Sequence, residues 1–192
     1  METREAIAAR RSIRRFEDRP VPEEVVNSVL TAAIQAPSGK NRQPWRFVVV
    51  AGEEKRAAMI RCMRSGIEQA REQHIETGSA LWTTRIMRKA PVTIFVFNPM
   101  GMHPWAAHST YEMYLSTVDV QSIGAAIQNM LLAAQDAGLG SLWICDVFSA
   151  YEQLTEWLGE PGQLIAAVAL GYPAEHPEAR PRHPLSDVVR WY

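Results

Sequence analysis

Residues 37–45, PSGKNRQPW, form a polar segment with a proline near each end. An apolar helical pattern precedes this segment, and the apolar run FVVV at residues 47–50 follows it. Because the residue before a proline is biased away from helix, the segment is predicted to be a stiff helix-to-strand loop. Its Ser38, Asn41 and Gln43 side chains can donate and accept hydrogen bonds without charge, which suits a flat heterocycle edged with carbonyls and ring nitrogens. Taken alone, the loop is better interpreted as an ordinary surface connection, and the other motifs of the chain are what favour a binding role.

The composition is that of a folded globular protein. The chain has 192 residues, of which 47% are hydrophobic and 21% charged, and a single domain over 1–192 is predicted. The net charge of −1 gives no global reason to expect a nucleic acid or an anionic membrane as a partner. Cys62 and Cys145 form no CxxC pair, and no apolar segment is long enough to span a bilayer. A reduced, soluble, cytoplasmic protein is therefore expected, with a lone disulfide as the less favoured alternative.

The order of helical and strand patterns predicts one mixed α and β domain. Helical patterns cover residues 3–9, 22–34, 53–77, 79–88, 118–137 and 151–158, and strand patterns cover 47–51, 91–97, 141–144 and 164–170. The helix at 118–137 is apolar on most sides, so we expect it to be buried almost all round. The proline-rich end of the chain carries five apolar or aromatic residues after Pro184, and we expect this tail to pack on another surface, such as a second subunit.

Residues 98–116 are the least regular part of the chain, and their methionine, tryptophan and tyrosine content argues against disorder. Because long irregular segments in compact domains are often lids, we predict that residues 98–114 and the region 61–82 cover a substrate. Trp105 and Tyr111 are the predicted substrate-facing residues, and plain core packing is the equally weighted alternative. Three side chains here could ligate a metal, but the usual zinc spacings are absent and no metal site is predicted. These three are His103, His108 and Glu112.

Basic residues are concentrated between residues 10 and 15. Arginine suits bidentate contact with phosphate, and the serine among them adds a hydroxyl. A solvated basic end or a weak nucleic-acid arm is the alternative. The interleaved Ile13 and Phe16 favour a segment that is packed onto the domain. The polar residues concerned are Arg10, Arg11, Ser12, Arg14 and Arg15.

Several stretches together resemble the nitroreductase family of FMN-dependent oxidoreductases. They are RRSIR at 10–14, PSGKNRQPW at 37–45, the helix 119–137 running into GLGS at 138–141, and LGYP at 170–173 followed by RPRHPL at 180–185. The resemblance covers nearly the whole chain in the family's order. It implies an α+β fold in which helices flank a central, mostly antiparallel sheet, in an intertwined homodimer with FMN at the interface.

The resemblance also assigns residues to the phosphate end and the pyrimidine end of the flavin. Arg10, Ser12 and Arg182 match contacts to the phosphate and the ribityl chain, and Arg180 matches a second basic position there. Arg14 matches the basic residue near the pyrimidine end, where a cation stabilises the negative charge of the reduced flavin.

Cys145 and Asp146 fall where the family places a main-chain N–H near flavin N5, at a position that more commonly holds small residues. An ionised Asp146 facing the ring would lower the flavin potential, whereas one facing away would be a strand-end polar group; the second arrangement is favoured. The other positions that the resemblance implies are Arg11 and, in the loop that approaches the flavin of the neighbouring subunit, Pro37, Ser38, Gly39, Asn41 and Gln43.

The implied chemistry has two steps. NADH or NADPH passes a hydride to flavin N5 and leaves, and a small electron-poor acceptor such as a nitroaromatic or a quinone is then reduced in a ping-pong mechanism. No catalytic side chain is expected, since flavin N5 does the chemistry. The alternatives are a flavin-binding storage or sensor protein without nicotinamide turnover, a family variant that performs dehalogenation, flavin fragmentation or azoline oxidation, and a nucleic-acid-binding protein.

Overall fold

The computed structural model describes all residues 1–192 and contains seven α-helices and four β-strands. The helices are α1 (Thr3–Ala9), α2 (Glu23–Ala33), α3 (Glu53–Glu72), α4 (Ala80–Lys89), α5 (Thr110–Asp136), α6 (Tyr151–Leu158) and α7 (Leu185–Val188). The strands are β1 (Arg46–Ala51), β2 (Val92–Asn98), β3 (Gly140–Ile144) and β4 (Gln163–Gly171). Two short 3₁₀ helices cover Gly39–Asn41 and Asp146–Ala150.

The four strands form one sheet in the order β1-β2-β4-β3, and every pair in it is antiparallel. Both faces of the sheet are covered, so side chains of the buried strand β2 alternate between two cores. Phe95 and Phe97 pack with α3, α4 and α6, whereas Ile94 and Val96 pack with α2 and α5 on the opposite face. The predicted α+β class with an antiparallel sheet flanked by helices is thus confirmed. None of the helices combines the length and the apolar character needed to cross a membrane.

Helix α5 begins eight residues earlier than its predicted start at residue 118. Ser109 and Glu112 form a capping box, in which Ser109 Oγ accepts from the Glu112 backbone N–H at 3.3 Å and Glu112 Oε2 accepts from the Ser109 N–H at 2.7 Å. Reciprocal bonding of this kind satisfies two of the free N–H groups at a helix start. The predicted irregular segment 98–116 was therefore wrong over residues 110–116.

Helix α3 ends at Glu72, five residues before the predicted limit at residue 77. The chain leaves the helix through His74, whose φ of 58° lies in the left-handed region. The backbone N–H of Ile75 then donates to the carbonyl of Ala70 at 2.8 Å, which closes the end of the helix.

One side of α5 is covered by the sheet and by α2, but its opposite side is not covered within this chain. Ile123, Ile127 and Met130 are fully buried, whereas Val120 is 38% exposed. The prediction that this helix is buried almost all round was therefore wrong for a single chain. The C-terminal tail is also uncovered, since the Trp191 side chain is 91% exposed.

We expect Gly66→Ala to lower the free energy of unfolding by about 1–3 kcal/mol. Gly66 lies inside α3, where alanine is normally the better helix former. A Cβ at this position would, however, fall on the backbone Cα of Ala150, which cannot move as a flexible side chain would. Urea unfolding of Gly66→Ala measures the loss, and Ser65→Ala at the neighbouring exposed position is the control. An unchanged or raised stability in Gly66→Ala would contradict this account of the packing.

Candidate functional site

The N-terminal arm, residues 10–17, lies between the edge of β3 and the chain that follows β4. The backbone N–H of Ile13 donates to the carbonyl of Ser141 at 2.9 Å, and that of Glu17 donates to the carbonyl of Tyr172 at 2.9 Å. The Ile13 side chain is buried. The arm is thus packed onto the domain and bonded on both sides, as the interleaved apolar residues predicted.

The arm and the C-terminal tail together line a cavity of about 410 Å³, which we call the basic cavity. Its size lies within the usual range for small-molecule sites. Five arginines and one serine contribute to its lining, and Glu178 is the only acid among the lining residues. The structure therefore brings together residues from two distant parts of the chain that were predicted to bind FMN. They are Arg10, Arg11, Ser12, Arg14, Arg180 and Arg182.

Three of these arginines also donate to backbone carbonyls. Arg11 Nη1 donates to the carbonyls of Ala8 at 2.6 Å and Arg10 at 3.0 Å, while its buried Nε has no partner. Arg14 Nη1 donates to the carbonyl of Ser12 at 3.2 Å. Arg182 Nη1 likewise donates to the carbonyls of Arg180 at 3.1 Å and Pro181 at 3.3 Å. All three guanidinium groups are thus partly oriented, and Arg11 keeps one buried donor free.

Glu175 fastens the arm to the chain after β4, and sequence analysis did not identify it. Its Oε1 accepts from the backbone N–H groups of Arg14 at 2.5 Å and Arg15 at 3.1 Å, and its Oε2 accepts from Arg15 Nε at 3.1 Å. Burial disfavours the charged carboxylate, but the bonds from Arg14 and Arg15 outweigh it and hold the pKa of Glu175 below its ordinary value. No local pattern could have revealed a contact between residues so far apart in the sequence.

The contribution of Glu175 to stability should depend on pH in a defined direction. Because its folded-state pKa is lowered, this contribution is fully present above the ordinary pKa of 4.5 and is lost as the pH falls through the lower folded-state pKa. The stability difference between the native chain and Glu175→Gln, measured by urea unfolding at several pH values, should therefore shrink on acidification. A difference that grows as the pH falls would contradict the assignment.

The loop at residues 37–45 has a backbone that non-glycine residues seldom adopt. Lys40, Asn41 and Gln43 have φ values of 53°, 54° and 49°. The loop is held by two bonds to serine hydroxyls: the Gln43 N–H donates to Ser38 Oγ at 3.0 Å, and the Gly39 N–H donates to Ser122 Oγ on α5 at 3.3 Å. Unfavourable backbone conformations persist where the surroundings impose them, and they cluster at functional sites.

An ion pair between Arg42 and Asp119 ties this loop to α5. Arg42 Nε lies 3.2 Å from Asp119 Oδ1, and Arg42 Nη2 lies 3.2 Å from Asp119 Oδ2, so the contact is bidentate. The Asp119 side chain is only 4% exposed, and that of Arg42 is 32% exposed. Neither residue was assigned a role from the sequence, because nothing local links the loop to a position in the middle of a helix.

Within one chain the loop and the basic cavity remain separate. Pro37, Ser38 and Gly39 line a shallow hollow of about 280 Å³ against α5, and none of its lining residues belongs to the basic cavity. Within one chain, the predicted residues of the arm and tail are therefore separate from those of the loop.

Asp146 turns toward the start of α4, where its Oδ2 accepts hydrogen bonds from Ser79 Oγ at 2.7 Å and from Thr83 Oγ1. Its carboxylate thus joins the end of β3 to the first turn of α4. The neighbouring Cys145 is a free thiol. Partial desolvation and the nearby Asp146 carboxylate raise the pKa of Cys145, which disfavours a reactive thiolate.

The structure separates the two predicted substrate-facing residues. Trp105 lines a cavity of about 520 Å³ together with residues of α3 and α6, and its ring meets that of Tyr151 edge-on at 5.1 Å between centroids. Tyr111 lies on the first turn of α5 and stacks on Tyr114, away from this cavity. The predicted association of residues 61–82 with the segment around Trp105 is therefore present, but without Tyr111.

The segment before α5 is held by ordinary contacts. His103 Nε2 lies 2.8 Å from Glu152 Oε1 on α6, and His108 Nε2 lies 3.1 Å from the carbonyl of His103. Glu112, the third residue weighed as a metal ligand, belongs to the capping box at Ser109.

Comparison with known proteins identifies the family. The family model described as the Nitroreductase family matches residues 7–172. A protein of Methanothermobacter thermautotrophicus with the provisional name NADH dehydrogenase/NAD(P)H nitroreductase is 33% identical, with 94% of this chain and 82% of that protein covered. Iodotyrosine deiodinase 1 of Rattus norvegicus is 30% identical over 88% of this chain and 61% of its own length.

Among solved structures, that of a provisionally named nitroreductase from Desulfovibrio desulfuricans, in complex with FMN, matches with a TM-score of 0.77 and 31% identity. It covers 100% of this chain and 97% of that chain. These matches confirm the resemblance that was drawn from the arm, the loop, the long helix and the C-terminal motifs. The chain belongs to the Nitroreductase family.

Proposed function

We propose that this protein is an FMN-dependent oxidoreductase that takes a hydride from NAD(P)H and reduces a small electron-poor acceptor by a ping-pong mechanism. The observation that carries the proposal is the basic cavity, in which Arg10, Ser12 and Arg14 of the arm meet Arg180 and Arg182 of the tail. FMN in the related D. desulfuricans structure and NAD(P)H in the names of relatives support the choice of cofactor and electron donor.

The side chains of the basic cavity suit the phosphate of FMN. A phosphate monoester carries close to two negative charges and several acceptor oxygens, and arginine forks bind it bidentately. Arg10, Arg182 and the hydroxyl of Ser12 would hold this phosphate, and Arg180 would add a second basic contact. Arg11 supports the fit through its buried and unpartnered Nε.

Around the flavin ring, the protein would supply charge and orientation. When bound, FMN accepts a hydride from a reduced nicotinamide and passes electrons to a second substrate. The positive charge of Arg14 would stabilise the negative charge of the reduced ring, and its backbone is fixed by Glu175. The carboxylate of Asp146 would hold the backbone at Cys145 near N5 by anchoring it to Ser79, rather than by facing the ring.

A homodimer would complete the site. In one chain the polar loop lies apart from the basic cavity, so Ser38, Asn41 and Gln43 would contact the flavin that is bound to the partner's arm. The uncovered side of α5 and the exposed tail are apolar surfaces of the kind that subunit interfaces cover. Gly124, at which an added Cβ would meet only Trp143 at 3.8 Å, would allow close approach there.

We expect Val120→Glu to convert the dimer into monomers and to weaken FMN binding. Val120 is 38% exposed on the uncovered side of α5, so a glutamate can reach water in a single chain but would be desolvated in the proposed interface. Light scattering after gel filtration measures the mass. Ser65→Glu, which adds the same charge on the exposed side of α3, should remain dimeric. A Val120→Glu protein that stays dimeric would show that another face forms the interface.

The absorption spectrum of the purified protein, repeated after anaerobic addition of NADPH and then NADH, tests the proposal. Flavin bands that bleach with either nucleotide and return when a nitroaromatic or a quinone is added are the expected result. Flavin bands that persist with both nucleotides would instead indicate storage or sensing. Absence of flavin even after FMN is added would overturn the assignment of the basic cavity.

The match to iodotyrosine deiodinase favours reductive dehalogenation as a second candidate function. The same experiment separates the two candidates. A halogenated phenol in place of the nitroaromatic should leave the flavin reduced under the main proposal, whereas its reoxidation with release of halide would support dehalogenation.

A further inference from the structure

A second positively charged concavity lies on the outer side of α3 and α4. We call it the α3–α4 groove; its volume is about 500 Å³. Five cationic side chains line it, against two carboxylates from Asp18 and Glu53, so its lining carries a net charge of +3. The cations are Arg56, Arg61 and Arg64 on α3, and Arg88 and Lys89 at the end of α4.

None of the five cations takes part in an ion pair within the chain. The five salt bridges of the structure all use other residues. Glu68 lies four residues after Arg64 on α3, at the spacing that favours ion pairing, yet the two groups are not within ion-pair distance. Like charges on adjoining helices repel one another, and Asp18 and Glu53 offset only part of this charge, so an anion in the groove would relieve the remaining repulsion.

The α3–α4 groove is distinct from the basic cavity, and the two share no lining residue. The arm contributes to both. Its Arg10, Arg11, Ser12 and Arg14 line the basic cavity, whereas Phe16 lines the groove together with Asp18, which follows the arm. A ligand of the groove would therefore occupy a different place from FMN.

We propose that the α3–α4 groove binds a small ligand that carries a linear di- or triphosphate. Its volume suits a small molecule rather than an extended polymer. Guanidinium groups bind phosphate oxygens in pairs, and the groove offers four of them together with a lysine, more than a single phosphate can use. Inorganic pyrophosphate or tripolyphosphate and the phosphate chain of a nucleotide share this chemistry.

Titration calorimetry with inorganic tripolyphosphate tests the proposal on FMN-saturated protein, in which the basic cavity is already filled. Arg64→Gln/Arg88→Gln removes one groove cation from each helix, and both residues are exposed, so folding should be unaffected. The matched control is Lys55→Gln/Arg85→Gln, which removes one exposed cation from each of the same helices outside the groove. Arg10→Gln reports whether any of the signal comes from the basic cavity.

We expect saturable binding of tripolyphosphate that weakens by about tenfold or more in Arg64→Gln/Arg88→Gln and stays nearly unchanged in both Lys55→Gln/Arg85→Gln and Arg10→Gln. ATP in a parallel titration separates the two sources, since binding of both ligands indicates nucleotides and binding of tripolyphosphate alone indicates an inorganic ligand. Absence of binding would overturn the proposal. An equal loss in the two double variants would also overturn it, because that result means only unspecific attraction to positive charge. This readout does not depend on nicotinamide oxidation, so it can fail or succeed independently of the proposed activity.

Discussion

Replacement of Arg42 by alanine should lower the free energy of unfolding by about 3 kcal/mol and release the loop at residues 37–45. The substitution leaves the carboxylate of Asp119 without its cation, in a place where only 4% of the side chain reaches solvent. An unpaired buried charge costs much more than the pair contributes, because its desolvation is no longer offset. Without this link, the left-handed residues of the loop would relax, and we expect FMN affinity to fall as well.

Removal of the other partner of the ion pair should lower the free energy of unfolding by less. Asp119→Ala leaves Arg42, whose side chain is 32% exposed and can turn toward water. The double variant Arg42→Ala/Asp119→Ala should be more stable than Arg42→Ala alone, because no buried charge then remains. Arg46→Ala is the control: Arg46 forms an exposed pair with Glu160 at 3.8 Å, and pairs of this kind contribute about 0–1 kcal/mol. Urea unfolding of the four variants measures these differences, and equal losses in Arg42→Ala and Arg46→Ala would refute the argument.

Removal of Arg10 and Arg182 together should weaken FMN binding by on the order of 100-fold or more. The two side chains come from opposite ends of the chain and line the same basic cavity, where each would form charge-assisted bonds with the phosphate. Fluorescence quenching of FMN measures its dissociation constant in Arg10→Ala/Arg182→Ala. Riboflavin, which lacks the phosphate, should bind this variant and the native protein with nearly equal affinity.

A charge-matched control distinguishes the loss of these phosphate contacts from the loss of two positive charges anywhere on the protein. Arg4→Ala/Arg85→Ala removes two exposed arginines that lie outside the basic cavity, and it should change FMN affinity only slightly. If both double variants lost affinity equally, the effect would come from net charge and not from the cavity.

Much of the fold could be predicted because its signals are local. The buried strand β2 follows from its apolar run. The end of α6 follows from Gly159, because glycine readily adopts the left-handed conformation that often ends a helix, and its φ is 67°. The start of α5 could also have been predicted, since Ser109 and Glu112 carry the S-x-x-E pattern of a capping box. The methionines and aromatic residues around that pattern favoured an irregular lid, and so the capping signal was overlooked.

The candidate site was harder to predict from the sequence, because its important contacts join distant parts of the chain. Arg10 and Arg182 could be placed in one site only through the family resemblance, since composition and spacing do not bring chain ends together. Arg42 and Glu175 were missed for the same reason: each acts through a partner on another element. Whether Asp146 faces a ring or a helix depends on Ser79 and Thr83, whose positions no local pattern specifies.

The basic cavity takes its side chains from two stretches that lie far apart in the sequence, and this has a consequence for biosynthesis. Arg10 leaves the ribosome long before Arg180 and Arg182 are made. At about 5–20 residues per second, the interval between them is on the order of ten seconds or more. A nascent chain can build the sheet up to β4 during this time, but it cannot present a complete phosphate site. Flavin binding would therefore wait until the segment that carries Arg180 and Arg182 has been made and has folded against the arm.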